Sequence, residues 1–154
     1  MAKVKASGAI PSQPSNIVSA KTWHPTTLIE MPEDVQVTEA REMLQSGFIE
    51  TSNSGDSVIF NKRVIDHWEI DEGYDEKQVN GRLTKIEMAR VAVRKPREIW
   101  DQGSQKAFVQ GFIKPTGGRL GVAVFVNKKD NTAITYFPKS MGGLDKVRKG
   151  IRIK

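Results

Sequence analysis

The chain has 154 residues, 38% hydrophobic and 27% charged, which is the balance of one ordinary globular domain. It has no Cys and only two His, His24 and His67, which excludes a disulfide framework, a thiolate zinc site, an iron–sulfur cluster and a Cys nucleophile, and leaves no basis for a His-rich metal centre. The net charge of +6 is unevenly divided: residues 1–79 carry 7 Lys+Arg and 13 Asp+Glu, whereas residues 80–154 carry 17 and 5. A basic half of that strength is expected to concentrate polyanions.

Residues 1–20 are rich in Ala, Ser, Pro and Lys without a sustained period, and Thr22–Pro32 holds two prolines in a weak apolar pattern. Residues 1–35 are therefore expected to form a flexible or extended arm, and 36–154 a single α+β domain. Thr38–Ser46 reads as a short helix with Thr38 as N-cap and Gly47 just past its end. Phe48–Thr51 and Ser57–Phe60 flank Asn53-Ser54-Gly55-Asp56, a hairpin signal. Val64–Trp68 reads as one helical turn inside an acidic stretch, Ile65–Val79, which holds six acids against Lys77. Val79–Val93 is the strongest helix, with Leu83, Ile86, Ala89 and Val93 on one face; Pro96 ends it, and Arg97–Trp100 is expected as a further turn. From Ala107 the period changes. Ala107–Ile113 alternates, Leu120–Val126 is apolar enough to be central, Thr132–Phe137 is rich in β-formers, and Gly150–Lys154 suits an edge strand. Helices first and an antiparallel meander afterwards is the α+β order. The longest apolar run, Val122–Val126, is far shorter than the roughly 20 residues of a spanning helix. No membrane partner is expected, and with no secretory h-region the default location is cytoplasmic.

As an ordered set, the pieces from Val58 to Lys154 resemble a known pattern. They are Ile65-Asp66-His67, an Arg-led helix from Arg82 to Val93, Lys95-Pro96-Arg97-Glu98-Ile99-Trp100, the Val122–Val126 strand, Thr135-Tyr136-Phe137, and Leu144-Asp145-Lys146-Val147-Arg148-Lys149-Gly150. This set resembles the phage-associated barnase–EndoU–colicin–RelE-like nuclease domains of phage and polymorphic-toxin proteins. The resemblance implies a barnase/RelE-like fold, with helices packed on a four-stranded antiparallel sheet. It also implies a metal-independent ribonuclease with no cofactor and no bound metal, acting on RNA rather than DNA.

Such cleavage needs a base for the 2′-hydroxyl proton, an acid for the leaving 5′-oxygen, and cations for the charged phosphorane. His67 suits proton transfer, with Arg82 and Thr135 beside it as catalytic candidates; Lys139, Arg148 and Lys149 are the candidate substrate-binding cations. Glu69 is expected to orient His67 or to serve as a base. Plainer roles stay open: His67 capping a turn, Arg82 in a surface ion pair with Glu72 or Asp75, Arg148 and Lys149 as solubilising charges, Tyr136 and Phe137 in the core. Two other functions also stay open. One is a non-catalytic virion or packaging component that keeps the fold and binds nucleic acid or a phage structural protein. The other is a module that binds an immunity or host protein. The location is then the host cytoplasm or the virion.

Overall fold

The computed structural model describes residues 17–154, so the part of the expected arm at residues 1–16 lies outside the described residues. In chain order the elements are β1 (Ile29–Glu30), α1 (Val37–Ser46), β2 (Phe48–Thr51), β3 (Ser57–Phe60), α2 (Arg63–Asp66), α3 (Glu76–Leu83), α4 (Ile86–Arg94), β4 (Glu98–Asp101), β5 (Gln105–Ile113), β6 (Arg119–Asn127), β7 (Ala133–Lys139), α5 (Met141–Leu144) and β8 (Ile151–Arg152). The main sheet runs β7-β6-β5-β4-β8, antiparallel throughout, and β1 adds in parallel at the end of β5, Ile29 facing Phe112. The fold is α+β, as the sequence indicates, with six strands in this sheet rather than the expected four.

The extra strands have local causes. Arg97–Trp100, expected as a further turn, falls largely in β4 (Glu98–Asp101): Ile99 points to the helix layer while Trp100 packs on the other face, an alternation that a helical turn cannot provide. β8 covers its outer edge, pairing Trp100 with Arg152. The expected Val79–Val93 helix is two helices. The Thr84 hydroxyl donates to the Gly81 carbonyl at 3.0 Å and the freed Thr84 carbonyl accepts from Val35, so the ladder breaks between α3 and α4. Asp75 and Gln78 form a capping box at the start of α3. α1 starts one residue before the expected N-cap, with Gln36 at the cap position, and Gly47 closes it at φ 80°.

Both faces of the sheet are covered. On one, Phe108, Phe112, Val122, Val124 and Tyr136 pack with Trp68, Leu83, Ile86, Ala89 and Val93 from the helices. On the other, Ala107 and Val109 pack with Trp100, with Met141 and Leu144 of α5, and with Ala20, Trp23 and Leu28 from the N-terminal side. Room for this second layer comes from a cross-strand glycine pair, Gly111 opposite Gly121. A Cβ on Gly111 would lie 2.9 Å from Leu28 Cδ2, and one on Gly121 would overlap Leu144.

Gly121→Ala is therefore expected to destabilise the fold by about 1–3 kcal/mol through overpacking. Gly81→Ala, in α3 with nothing within 4 Å of the new methyl group, is expected to stabilise it by up to about 1 kcal/mol. Urea midpoints of the two variants check the pair of opposite signs.

Candidate active site

The site begins with an irregular turn. α2 continues into a π-helical turn over His67–Asp71, in which the Glu72 amide donates to the His67 carbonyl at 2.9 Å and Gly73, at φ 65°, ends the run. Val64, Ile65 and Trp68 anchor this segment in the core. The wider turn sets two carboxylates against one imidazole: Asp71 Oδ2 lies 3.2 Å from His67 Nδ1, and Glu72 Oε2 lies 3.8 Å from Nε2. The next residue, Trp68, is fully buried and donates its indole N–H to Thr135 Oγ1 at 2.8 Å. That bond joins the turn to β7, an outer strand of the sheet in which Pro138, lacking an N–H, is tolerated.

Two cations complete the cleft. Arg82, in the last turn of α3, donates to the Tyr74 hydroxyl at 3.2 Å, and its guanidinium lies 4.6 Å from the Tyr74 ring, 5.3 Å from Phe137 and 6.0 Å from Trp68. Lys139 Nζ lies 5.0 Å from the Phe137 ring. Among the described residues neither has a carboxylate within 4.0 Å, so the surface ion pair considered for Arg82 does not form. The cleft, of about 270 Å³, is lined by His67, Glu72, Tyr74, Arg82, Thr135, Phe137 and Lys139. The structure thus brings together the three expected catalytic residues and one of the three expected binding cations. Tyr136 is in the core, edge-on to Trp68, and burial pushes its phenol far above the ordinary range, so it stays neutral. Phe137 differs from the expectation, forming part of the cleft wall.

Comparison with known proteins gives one finding. A family model described as phage-Barnase-EndoU-ColicinE5/D-RelE like nuclease2 matches residues 35–153. No curated protein and no solved structure matches the chain.

Arg148 and Lys149 are not part of this cleft. Arg148 is 2% exposed and forms an internal latch. Its Nε and Nη2 donate to Glu98 at 2.6 and 2.7 Å, and its Nη1 donates to the Val18 carbonyl at 2.7 Å and to Asp145 at 3.0 Å. Asp145 also accepts from the Ala20 amide and the Ser19 hydroxyl. Lys149 joins the same region through its carbonyl, which accepts from Gln102. Glu69 pairs with Arg41 at 3.5 Å instead of His67, and His24 caps a 3₁₀ turn. Asp71, Glu72 and Tyr74 were not singled out by the sequence as partners of the site. A helical spacing of four from His67 finds Asp71, but Glu72 needs the five-residue step of a π turn.

Burial works to raise the pKa of Asp145, but the Ala20 amide, the Ser19 hydroxyl and Arg148 more than reverse this and hold it below the usual carboxylate value. A depressed folded pKa stabilises above the unfolded value, about 3.9, and that stability disappears as pH falls through the folded one. Asp145→Asn is expected to cost stability at pH 7, with the gap to wild type narrowing steadily below about pH 4. Chemical denaturation at pH 7 and pH 3 reads this directly, and a gap that is constant with pH would contradict it.

Proposed function

The chain belongs to the phage-Barnase-EndoU-ColicinE5/D-RelE-like nuclease 2 family, and from that premise we propose that it is a metal-independent ribonuclease whose cleft is the one around His67. The observation that carries the reading is the convergence of His67, Arg82, Thr135 and Lys139 on one concavity from separate parts of the fold. An ionised Asp71 can only accept, so the 3.2 Å contact is read with a proton on His67 Nδ1, which leaves Nε2 towards Glu72, 3.8 Å away.

In this mechanism His67 and Glu72 are the proton-transfer pair. The basic member takes the proton of the ribose 2′-hydroxyl as its oxygen attacks phosphorus. The acidic member gives a proton to the 5′-oxygen as the P–O5′ bond breaks. The products are a 2′,3′-cyclic phosphate and a free 5′-hydroxyl, and no water or redox partner enters the step. Arg82 and Lys139 have no described carboxylate within 4.0 Å, so they are available to the pentacoordinate phosphorane. A hydroxyl has one proton to donate and two lone pairs to accept with. The Trp68 N–H occupies one lone pair of Thr135, and the Thr135 proton is left to donate to a phosphate oxygen. RNA rather than DNA follows from the need for the 2′-hydroxyl.

Purified protein is expected to degrade total RNA in excess EDTA. His67→Ala is expected to slow cleavage by at least about 100-fold, the usual worth of a general acid–base group, with an unchanged circular-dichroism spectrum and melting temperature. Salt-sensitive binding without turnover in the wild type would reject catalysis in favour of a nucleic-acid-binding role.

A further inference from the structure

A second concavity, of about 400 Å³, lies at the opposite end of the sheet, where β4 and β8 meet residues 17–23. Arg97, Arg148 and Arg152 converge on it, together with Glu98 and Trp23. Glu98 is already saturated: it accepts from Arg148 Nε and Nη2 and from Trp100 Nε1 at 2.8 Å, with Arg152 Nη1 3.6 Å away. Arg148 is equally committed, to Glu98, Asp145 and the Val18 carbonyl.

Arg97 is not. Its guanidinium lies 4.1 Å from the Trp23 ring, and its Nη1 donates to Thr27 Oγ1 at 2.8 Å and to the Thr27 carbonyl at 3.2 Å. Among the described residues it has no carboxylate within 4.0 Å, and its Nε and Nη2 have no acceptor. Arg152 donates its Nε to the Lys154 carbonyl, and its side chain is 53% exposed. The plane of one guanidinium is thus fixed against an indole and a second is at hand, both with N–H groups to give. The electrostatics agree in direction. Loss of solvent, with Arg148 and Arg152 nearby, draws the Arg97 pKa down despite the opposing pull of Glu98.

We propose that this concavity binds the phosphate group of a nucleotide or of a nucleic-acid strand, with Arg97 and Arg152 as donors and Trp23 as the wall that holds Arg97 in place. The choice of phosphate follows from the donors. One planar fork satisfies a carboxylate, as Arg148 does for Glu98, whereas two forks approaching from different elements suit a tetrahedral oxyanion with more oxygens to cover. The site is separate from the His67 cleft, and phosphate binding here does not depend on cleavage there.

The test is an NMR titration of the full chain that follows the indole N–H signals of Trp23 and Trp100 and the Arg Nε–H signals. Three probes are used: inorganic phosphate, a nucleoside 5′-monophosphate, and a short oligoribonucleotide added to the His67→Ala variant so that turnover does not intrude. Saturable shifts at Trp23 and Arg97 are expected, and Arg97→Gln and Arg152→Gln are each expected to weaken binding about 5- to 10-fold. Arg152→Gln guards against an effect on folding, because its side chain is half exposed. Equal affinity for mononucleotide and oligonucleotide assigns a free nucleotide as the ligand; tighter binding of the oligonucleotide assigns a strand. No shift with any probe, shifts that survive both substitutions, or an equal response to acetate would each overturn the proposal. Cleavage by the wild type is scored separately, so a failure here and a failure of the His67 cleft remain distinguishable.

Discussion

The hydrogen bond from Trp68 to Thr135 ties the helix layer to the outer strand of the sheet, and the candidate cleft depends on it. The indole is fully buried, so an unmade bond would leave its N–H without water or partner, at a cost of roughly 1–3 kcal/mol. Because Trp68 follows His67 directly, fixing the indole also fixes the backbone that carries the imidazole. The imidazole and Glu72 line the cleft from the turn, and Thr135, Phe137 and Lys139 line it from β7. Tyr136, between Thr135 and Phe137 in sequence, packs edge-on against the same indole at 5.0 Å, so the strand is gripped on adjacent residues.

Charge is divided between architecture and site. Arg90 and Arg94 converge on the nearly buried Glu50, Lys85 pairs with Asp34, Lys106 with Asp56, and Arg148 with Glu98 and Asp145. Several of these join a base from the second half of the chain to an acid from the first, so part of the charge asymmetry along the sequence is paired within the fold. At Arg90, burial opposes the charge, but the bonds to Glu50 and Glu87 outweigh it and raise the pKa. Arg82, Lys139 and Arg97 are the informative exceptions, because aromatic rings rather than described carboxylates hold them in place.

The sequence was most legible where one period dominates. The alternation of Ala107 and Val109 against Phe108 and Phe112 reappears as the two faces of β5, and the apolar Val122–Val126 run is in the sheet interior. The hairpin of β2 and β3 has the expected strands. Legibility failed where a long-range contact overrode the local signal. Glu98–Trp100, expected within a turn, became strand because β5 and β8 offered it ladders on both sides. The Val79–Val93 pattern broke because the Thr84 carbonyl serves Val35. In the site, His67, Arg82, Thr135 and Lys139 were readable as residue types suited to phosphate chemistry. Arg148 has the same chemistry but sits behind the sheet, and only tertiary structure separates a buried latch from a binding cation.

We propose that RNA is cut in the His67 cleft by attack of the RNA's own 2′-hydroxyl. The most direct measurement uses a DNA oligonucleotide carrying a single ribonucleotide, incubated in EDTA and analysed by mass spectrometry. One cut is expected, on the 3′ side of that ribonucleotide, with a 2′,3′-cyclic phosphate on one fragment and a 5′-hydroxyl on the other. Cutting at deoxyribonucleotide links, or fragments bearing 5′-phosphates, would contradict it.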